Sequence, residues 1–144
     1  MWIENFKETE NSDNRKKFLA CPEQESITIG ASCTHTFRLP FSLSNYCKHL
    51  EVIYRQGIDT DDTVWLVESW SEDSENTNFE IIEYGSRTIV NVTLNPLDTQ
   101  RFRDSLLDTY VQLKIITKDN EIFYDNPHYI QVKAPLRIDS IVGE

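Results

Sequence analysis

From Ser26 to Val132, apolar and polar residues alternate over most of the chain, the pattern of β-strands with one buried face. Ser26–Ile29 alternates and stops at Gly30. Thr34–Phe41 puts Phe37, Leu39 and Phe41 on one face and Thr36 and Arg38 on the other, with Pro40 marking a strand end or edge. Ser42–Tyr46 reads as a turn or a single helical turn. Leu50–Arg55 sets Leu50, Val52 and Tyr54 opposite Glu51, Ile53 and Arg55. Thr63–Trp70, Phe79–Tyr84, Arg87–Leu94 and Tyr110–Thr117 follow as further strands, separated by clusters of turn formers. Strands of this length at this spacing predict a sandwich or a barrel.

One segment reads as helical. Asn95 suits an N-cap, Pro96 the first helical position, and Asp98 the positive end of the dipole. Phe102 and Leu106 then share a face, with Leu107 beside them, so a short helix ending before Thr109 bridges two strands. Lys118–Glu121 supplies a tight turn, because Asp119 and Asn120 tolerate the left-handed backbone. Ile122–Tyr124 begins the return strand, Asp125–Pro127 bulges it, and Tyr129–Val132 completes it. The organisation is thus an N-terminal arm over 1–25, one β-domain over 26–134, and a tail or edge strand over 135–144.

Composition narrows the function. The chain has 144 residues, enough for one core, and its 39% hydrophobic content supports folding without metals or disulfides. Its 24 acidic residues against 14 basic ones leave a net charge of −10, which repels phosphate backbones, so no nucleic-acid partner is expected. The one basic cluster, Arg15–Lys17, is too small to reverse that. No apolar run approaches the ~18 residues of a membrane span. The start of the chain lacks the pattern of a signal peptide, and three cysteines (Cys21, Cys33 and Cys47) without close spacing are expected as free thiols. The sequon at Asn91 is then a coincidence of composition.

Candidate chemistry is sparse. Cys33 and His35 are two apart, as are Cys47 and His49, and each pair on one strand face could form half of a tetrahedral zinc site. Against that, free cysteines commonly fill cores as small apolar groups, so no metal and no other cofactor is expected. Asp59, Asp61 and Asp62 lack the glycine and the distant glutamate of an EF-hand and read as a solvated loop, as do Glu72, Asp73 and Glu75. No nucleophile–base pair or phosphate loop appears, so no enzyme is expected. Trp65 and Trp70 could each form a glycan platform, but five residues apart on a strand they face opposite ways, so at most one does. Trp2, Ile3 and Phe6, followed by a polar run, form either a disordered terminus or an arm whose apolar tip docks on a neighbour. Ile138 and Ile141 give the tail a similar character.

With these segments in place, the stretch from Leu50 to Val132 resembles a group of small tailed-phage and prophage proteins. The resemblance rests on Phe37–Phe41 (FRLPF), Glu51–Gln56 (EVIYRQ), Asn91–Phe102 (NVTLNPLDTQRF), Val111–Asn120 (VQLKIITKDN) and Ile130–Leu136 (IQVKAPL). It implies an immunoglobulin-like antiparallel β-sandwich similar to the N-terminal domains of baseplate or fibre-attachment proteins. It further implies a virion component made in the host cytoplasm, an adaptor or decoration domain of tail, baseplate or head fibre, with other virion proteins as multi-copy partners. No catalytic residue is carried over. The chain departs from the group in Asn120, where glycine is usual, in its long N-terminal extension, and in its acidic segment between Asp59 and Asn78. The alternative expectation is a carbohydrate-binding module.

Overall fold

The computed structural model describes residues 26–57, 63–75, 77–103 and 108–135. Nine strands form in chain order: β1 (Ser26–Thr28), β2 (Cys33–Leu39), β3 (Cys47–Gln56), β4 (Val64–Ser71), β5 (Phe79–Tyr84), β6 (Arg87–Leu94), β7 (Thr109–Thr117), β8 (Ile122–Tyr124) and β9 (His128–Lys133). Two four-residue helices interrupt them, α1 (Leu43–Tyr46) and α2 (Pro96–Thr99). The larger sheet runs β1-β9-β7-β3-β4, with β8 also on β7, and the smaller one runs β2-β6-β5. All pairings are antiparallel except β1 with β9.

This strand order is that of an immunoglobulin-like sandwich, with β2, β6 and β5 facing β3, β7 and β9. Strand β4 beside β3 is the kind of extra strand that variable-type domains carry. The expected fold is therefore present. The segment read as a turn or a single helical turn is α1, which Ser42 caps by accepting from the Asn45 amide. Asn95 caps α2 as anticipated, in a capping box with Asp98, but the described helix ends at Thr99, and Phe102 reaches the core from a following turn. The return after Asn120, whose φ is +69°, also differs: β8 and β9 are separate strands on different stretches of β7 rather than one bulged strand.

Alternation fills the space between the sheets. Phe37 and Leu39 of β2, Leu50, Val52 and Tyr54 of β3, Val90, Val92 and Leu94 of β6, and Val111, Leu113 and Ile115 of β7 are buried together. No disulfide joins the sheets among the described residues; Cys33 and Cys47 are free thiols. At the centre lies a polar contact instead. His35 on β2 and Tyr54 on β3 are both fully buried, and His35 Nδ1 lies 2.6 Å from the Tyr54 hydroxyl. The Phe102 ring packs edge-on against Tyr54 at 6.3 Å.

Burial depresses the His35 pKa from 6.5 to about 4. The unfolded chain therefore takes up a proton below about pH 6.5 that the fold accepts only near pH 4. Stability contributed by neutral His35 is full above pH 6.5 and is lost as the pH falls toward 4. Between pH 7.5 and 5 that loss amounts to about 2 kcal/mol. Urea denaturation of the parent and of His35→Gln at both pH values checks it: the parent should lose about 2 kcal/mol more than the variant. Tyr54→Phe removes the hydroxyl partner of the buried His35 Nδ1 and should cost about 1–3 kcal/mol at neutral pH.

Candidate interaction face

The larger sheet turns its other face outward, and register assembles it into four rows. Trp65, Arg55, Tyr110 and Tyr129 form the first, across β4, β3, β7 and β9. Val67, Ile53 and Gln112 form the second. Ser69, Glu51, Lys114 and Tyr124 make the third, and Ser71, His49, Ile116 and Ile122 the fourth. Five of these side chains are large, apolar and about half exposed: Trp65, Val67, Ile122, Tyr124 and Tyr129, between 46% and 58%.

The face is held rigid by its own contacts. The Arg55 guanidinium lies 5.9 Å from the Trp65 ring centroid, and Lys114 Nζ 5.7 Å from that of Tyr124. Tyr110 and Tyr129 meet edge-to-face at 6.0 Å. Arg101, from the turn after α2, donates to the Trp65 carbonyl. Gln112 Nε2 donates to the Asp125 carbonyl at 2.7 Å, drawing the β8–β9 connection toward the sheet, and with Pro127 it helps line a cleft of about 90 Å³ beside Trp65. Glu51 accepts from His49 at 2.9 Å and sits 3.9 Å from Lys114, so the polar rows are internally paired.

Trp70 behaves differently. It lies on the inner side of β4, partly buried against the core, and the odd spacing from Trp65 has the expected consequence. Only Trp65 is placed to act as a platform.

The two Cys–His pairs do not converge. Cys33 and His35 sit on the smaller sheet, with Sγ 4.0 Å from Nε2, and His35 Nδ1 is taken by Tyr54. Cys47 and His49 sit on the larger sheet, where a β-bulge between them sends Cys47 into the core and His49 outward. This corrects the expectation that both point to one face. His49 has both ring nitrogens engaged, by Ser71 and Glu51. Burial pushes the thiols of Cys33 and Cys47 up to about 11 and about 12, which keeps them protonated and poor as ligands or nucleophiles. Among the described residues no group of three metal-ligating side chains forms.

Glu72, Asp73 and Glu75 are exposed as expected, with Glu72 3.2 Å from Lys118. The Asn91 amide of the sequon bonds Thr36 and Glu80 on the smaller sheet. Trp2, Ile3, Phe6, Ile138 and Ile141, and the acidic run 59–62, lie outside the described residues. The outer face itself escapes a reading along the chain, because its members come from five strands and only register joins them. The one available signal was the aromatic content of the solvent side of each strand.

No protein-family model and no curated protein sequence matches the chain. Among solved structures it is similar to the swine CD8αα homodimer, at 12% identity and a TM-score of 0.37, over 79% of this chain and 94% of that one. A likeness at that level carries no argument; the fold assignment rests on strand order.

The two tryptophans should separate cleanly in stability measurements. Trp70→Ala removes packing against the core and should cost about 2–3 kcal/mol, whereas Trp65→Ala should cost less than about 1 kcal/mol. Chemical denaturation of each variant reads the difference directly.

Proposed function

We propose that this chain is an assembly adaptor: a rigid sandwich that docks onto another protein through the outer face of its larger sheet. The observation that carries the reading is the cluster of half-exposed Trp65, Tyr124 and Tyr129 with Arg55 and Lys114 held against their rings. Tryptophan, tyrosine and arginine are the residues that dominate binding energy at protein interfaces, and preformed rings cost little entropy to order. An apolar patch rimmed by paired polar rows is also the composition of an interface rather than of an idle surface.

The finer reading is a virion component in tail, baseplate or head fibre. Its support is the resemblance of the stretch from Leu50 to Val132 to tailed-phage proteins. Multiple copies per particle would let modest individual contacts add to stable attachment.

A carbohydrate-binding role would use the same Trp65, with Arg55 and Gln112 as hydrogen-bonding neighbours. The cleft beside Trp65, at about 90 Å³, is well below the roughly 300–1,000 Å³ of small-ligand pockets, which favours a broad protein contact. Glycan-array binding by the full chain that is lost in Trp65→Ala would reverse this preference.

Particle composition tests the adaptor reading. Purified phage particles should contain the parent protein, and Trp65→Ala/Tyr129→Ala should reduce its incorporation at least tenfold, read by quantitative mass spectrometry. Absence of the parent protein from particles rejects the virion reading. Equal incorporation of the folded double variant rejects the face.

A further inference from the structure

On one side the larger sheet ends at β4, and the direction of the main-chain groups along that edge follows from the ladder. The Glu72 amide donates to the Lys48 carbonyl, one step beyond the registered pair Ser71–His49. Main-chain groups alternate sides along a strand, so Leu66, Glu68 and Trp70 bond toward β3, while Trp65, Val67 and Ser69 turn theirs to the open edge. On that open side the Trp65 carbonyl accepts from Arg101. Among the described residues nothing meets the N–H and C=O of Val67 and Ser69.

The other edges carry features that oppose strand addition. β1 and β8 have three residues each, β5 sets Glu80 and Glu83 among six, and Pro40 follows the end of β2. Strand β4 differs. Its eight residues, VWLVESWS, include no proline, glycine or lysine, and they pair with β3 without a bulge. The one charge, Glu68, is on the inner side and accepts from Asn78. A long, regular, β-prone edge of this kind is a template for another strand.

The sequence of β4 itself meets that demand. Edge-facing main chain and outer-face side chains fall on the same residues, Trp65, Val67 and Ser69, all exposed. In an antiparallel ladder two opposed side chains share a face, so a second β4 added across a two-fold axis keeps both outer faces on one side. Only registers centred on Val67 or on Glu68 keep all three residues within the opposite strand. The second would set two Glu68 carboxylates against each other. Centred on Val67, the pairing opposes Val67 to itself, the Trp65 indole to the small Ser69, and Glu68 to Leu66. The Trp65 carbonyl has two lone pairs and can take the Ser69 amide of the other copy beside Arg101.

We propose that two copies of this chain join antiparallel along β4, centred on Val67, into one continuous sheet. The contact uses the edge of the larger sheet and not its face, so it stands or falls separately from the adaptor reading.

Sedimentation and amide exchange of the full-length chain test it. The parent should be monomeric at about 10 µM and dimeric at about 1 mM, as suits a contact confined to one strand. Between those concentrations the Val67 and Ser69 amides should slow at least about tenfold in exchange, read by NMR, while those of Leu66, Glu68 and Trp70 are slow at both. Ser69→Pro removes an edge amide and no bond to β3, and Val67→Lys brings two ammonium groups together on the axis. Each variant, still folded, should stay monomeric at the higher concentration, and Tyr124→Ala/Tyr129→Ala should dimerise like the parent. A parent that stays monomeric overturns the proposal, as does a dimer that survives both edge variants or leaves the Val67 and Ser69 amides in fast exchange. Loss of the dimer in the tyrosine variant assigns the contact to the outer face and overturns it equally.

Discussion

The hydrogen bond between His35 and Tyr54 is the contact on which the arrangement of this sandwich turns. Apolar burial drives two sheets together but is non-directional, so it leaves their relative setting loosely specified. A 2.6 Å bond between two fully buried polar groups is directional, and breaking it leaves the Tyr54 hydroxyl and His35 Nδ1 without each other in a dry core. It occupies the inter-sheet region where immunoglobulin domains of antibodies use a disulfide and a tryptophan. The low pKa of His35 follows from the same burial that makes the bond strong. The tie therefore carries a cost, dependence on a neutral imidazole, that a disulfide would not.

What the inner tie fixes, the outer face inherits. Strand side chains alternate, so holding Tyr54 inward sets Arg55 outward, and β3 pairing then brings Trp65 on one side and Tyr110 on the other. The poles are closed by a second kind of tie. The Gln56 amide exchanges two hydrogen bonds with the Arg103 backbone, and the Thr99 hydroxyl accepts from Gly30 and lies 2.9 Å from the Ala31 carbonyl. At the other pole Thr88 bridges Phe41 and Leu43, and Glu83 accepts from Ser42 and Ser44. Those bonds to Glu83 hold its carboxyl below the usual range despite opposing desolvation. Polar residues that could suggest chemistry in one dimension are thus consumed in holding loops to strand ends.

Most of the strands were legible because period-two alternation is a direct record of which face is buried; β2, β6 and β7 show it without interruption, and β3 does from Leu50 on. The Asn95 cap and the turn at Asn120 were legible for the same reason, since each residue type answers one local backbone demand. Three things were not. A histidine in a strand gives no sign of whether it faces metal, solvent or a tyrosine nineteen residues on, so His35 read as a candidate ligand. The bulge after Cys47 leaves no mark in composition, yet it reverses the side on which His49 emerges. The outer face depends on which strands pair, and pairing is a long-range choice that local pattern does not encode.

Net charge and local composition pull in opposite directions here, and their balance explains how such a domain could assemble without self-associating indiscriminately. A charge of −10 gives copies a mutual repulsion that acts out to about 8 Å at physiological ionic strength and is screened beyond. In the proposed adaptor, contact is made where apolar area is exposed and a cation lies against an aromatic ring. On the larger sheet those places are the rings of Trp65 and Tyr124, each with a cation against it. Because an aromatic ring disperses charge over its face, Arg55 and Lys114 can be covered by a partner at less desolvation cost than a bare ion. The acidic remainder of the surface rejects misaligned approach, so specificity comes from where the negative charge is missing as much as from what the aromatics touch.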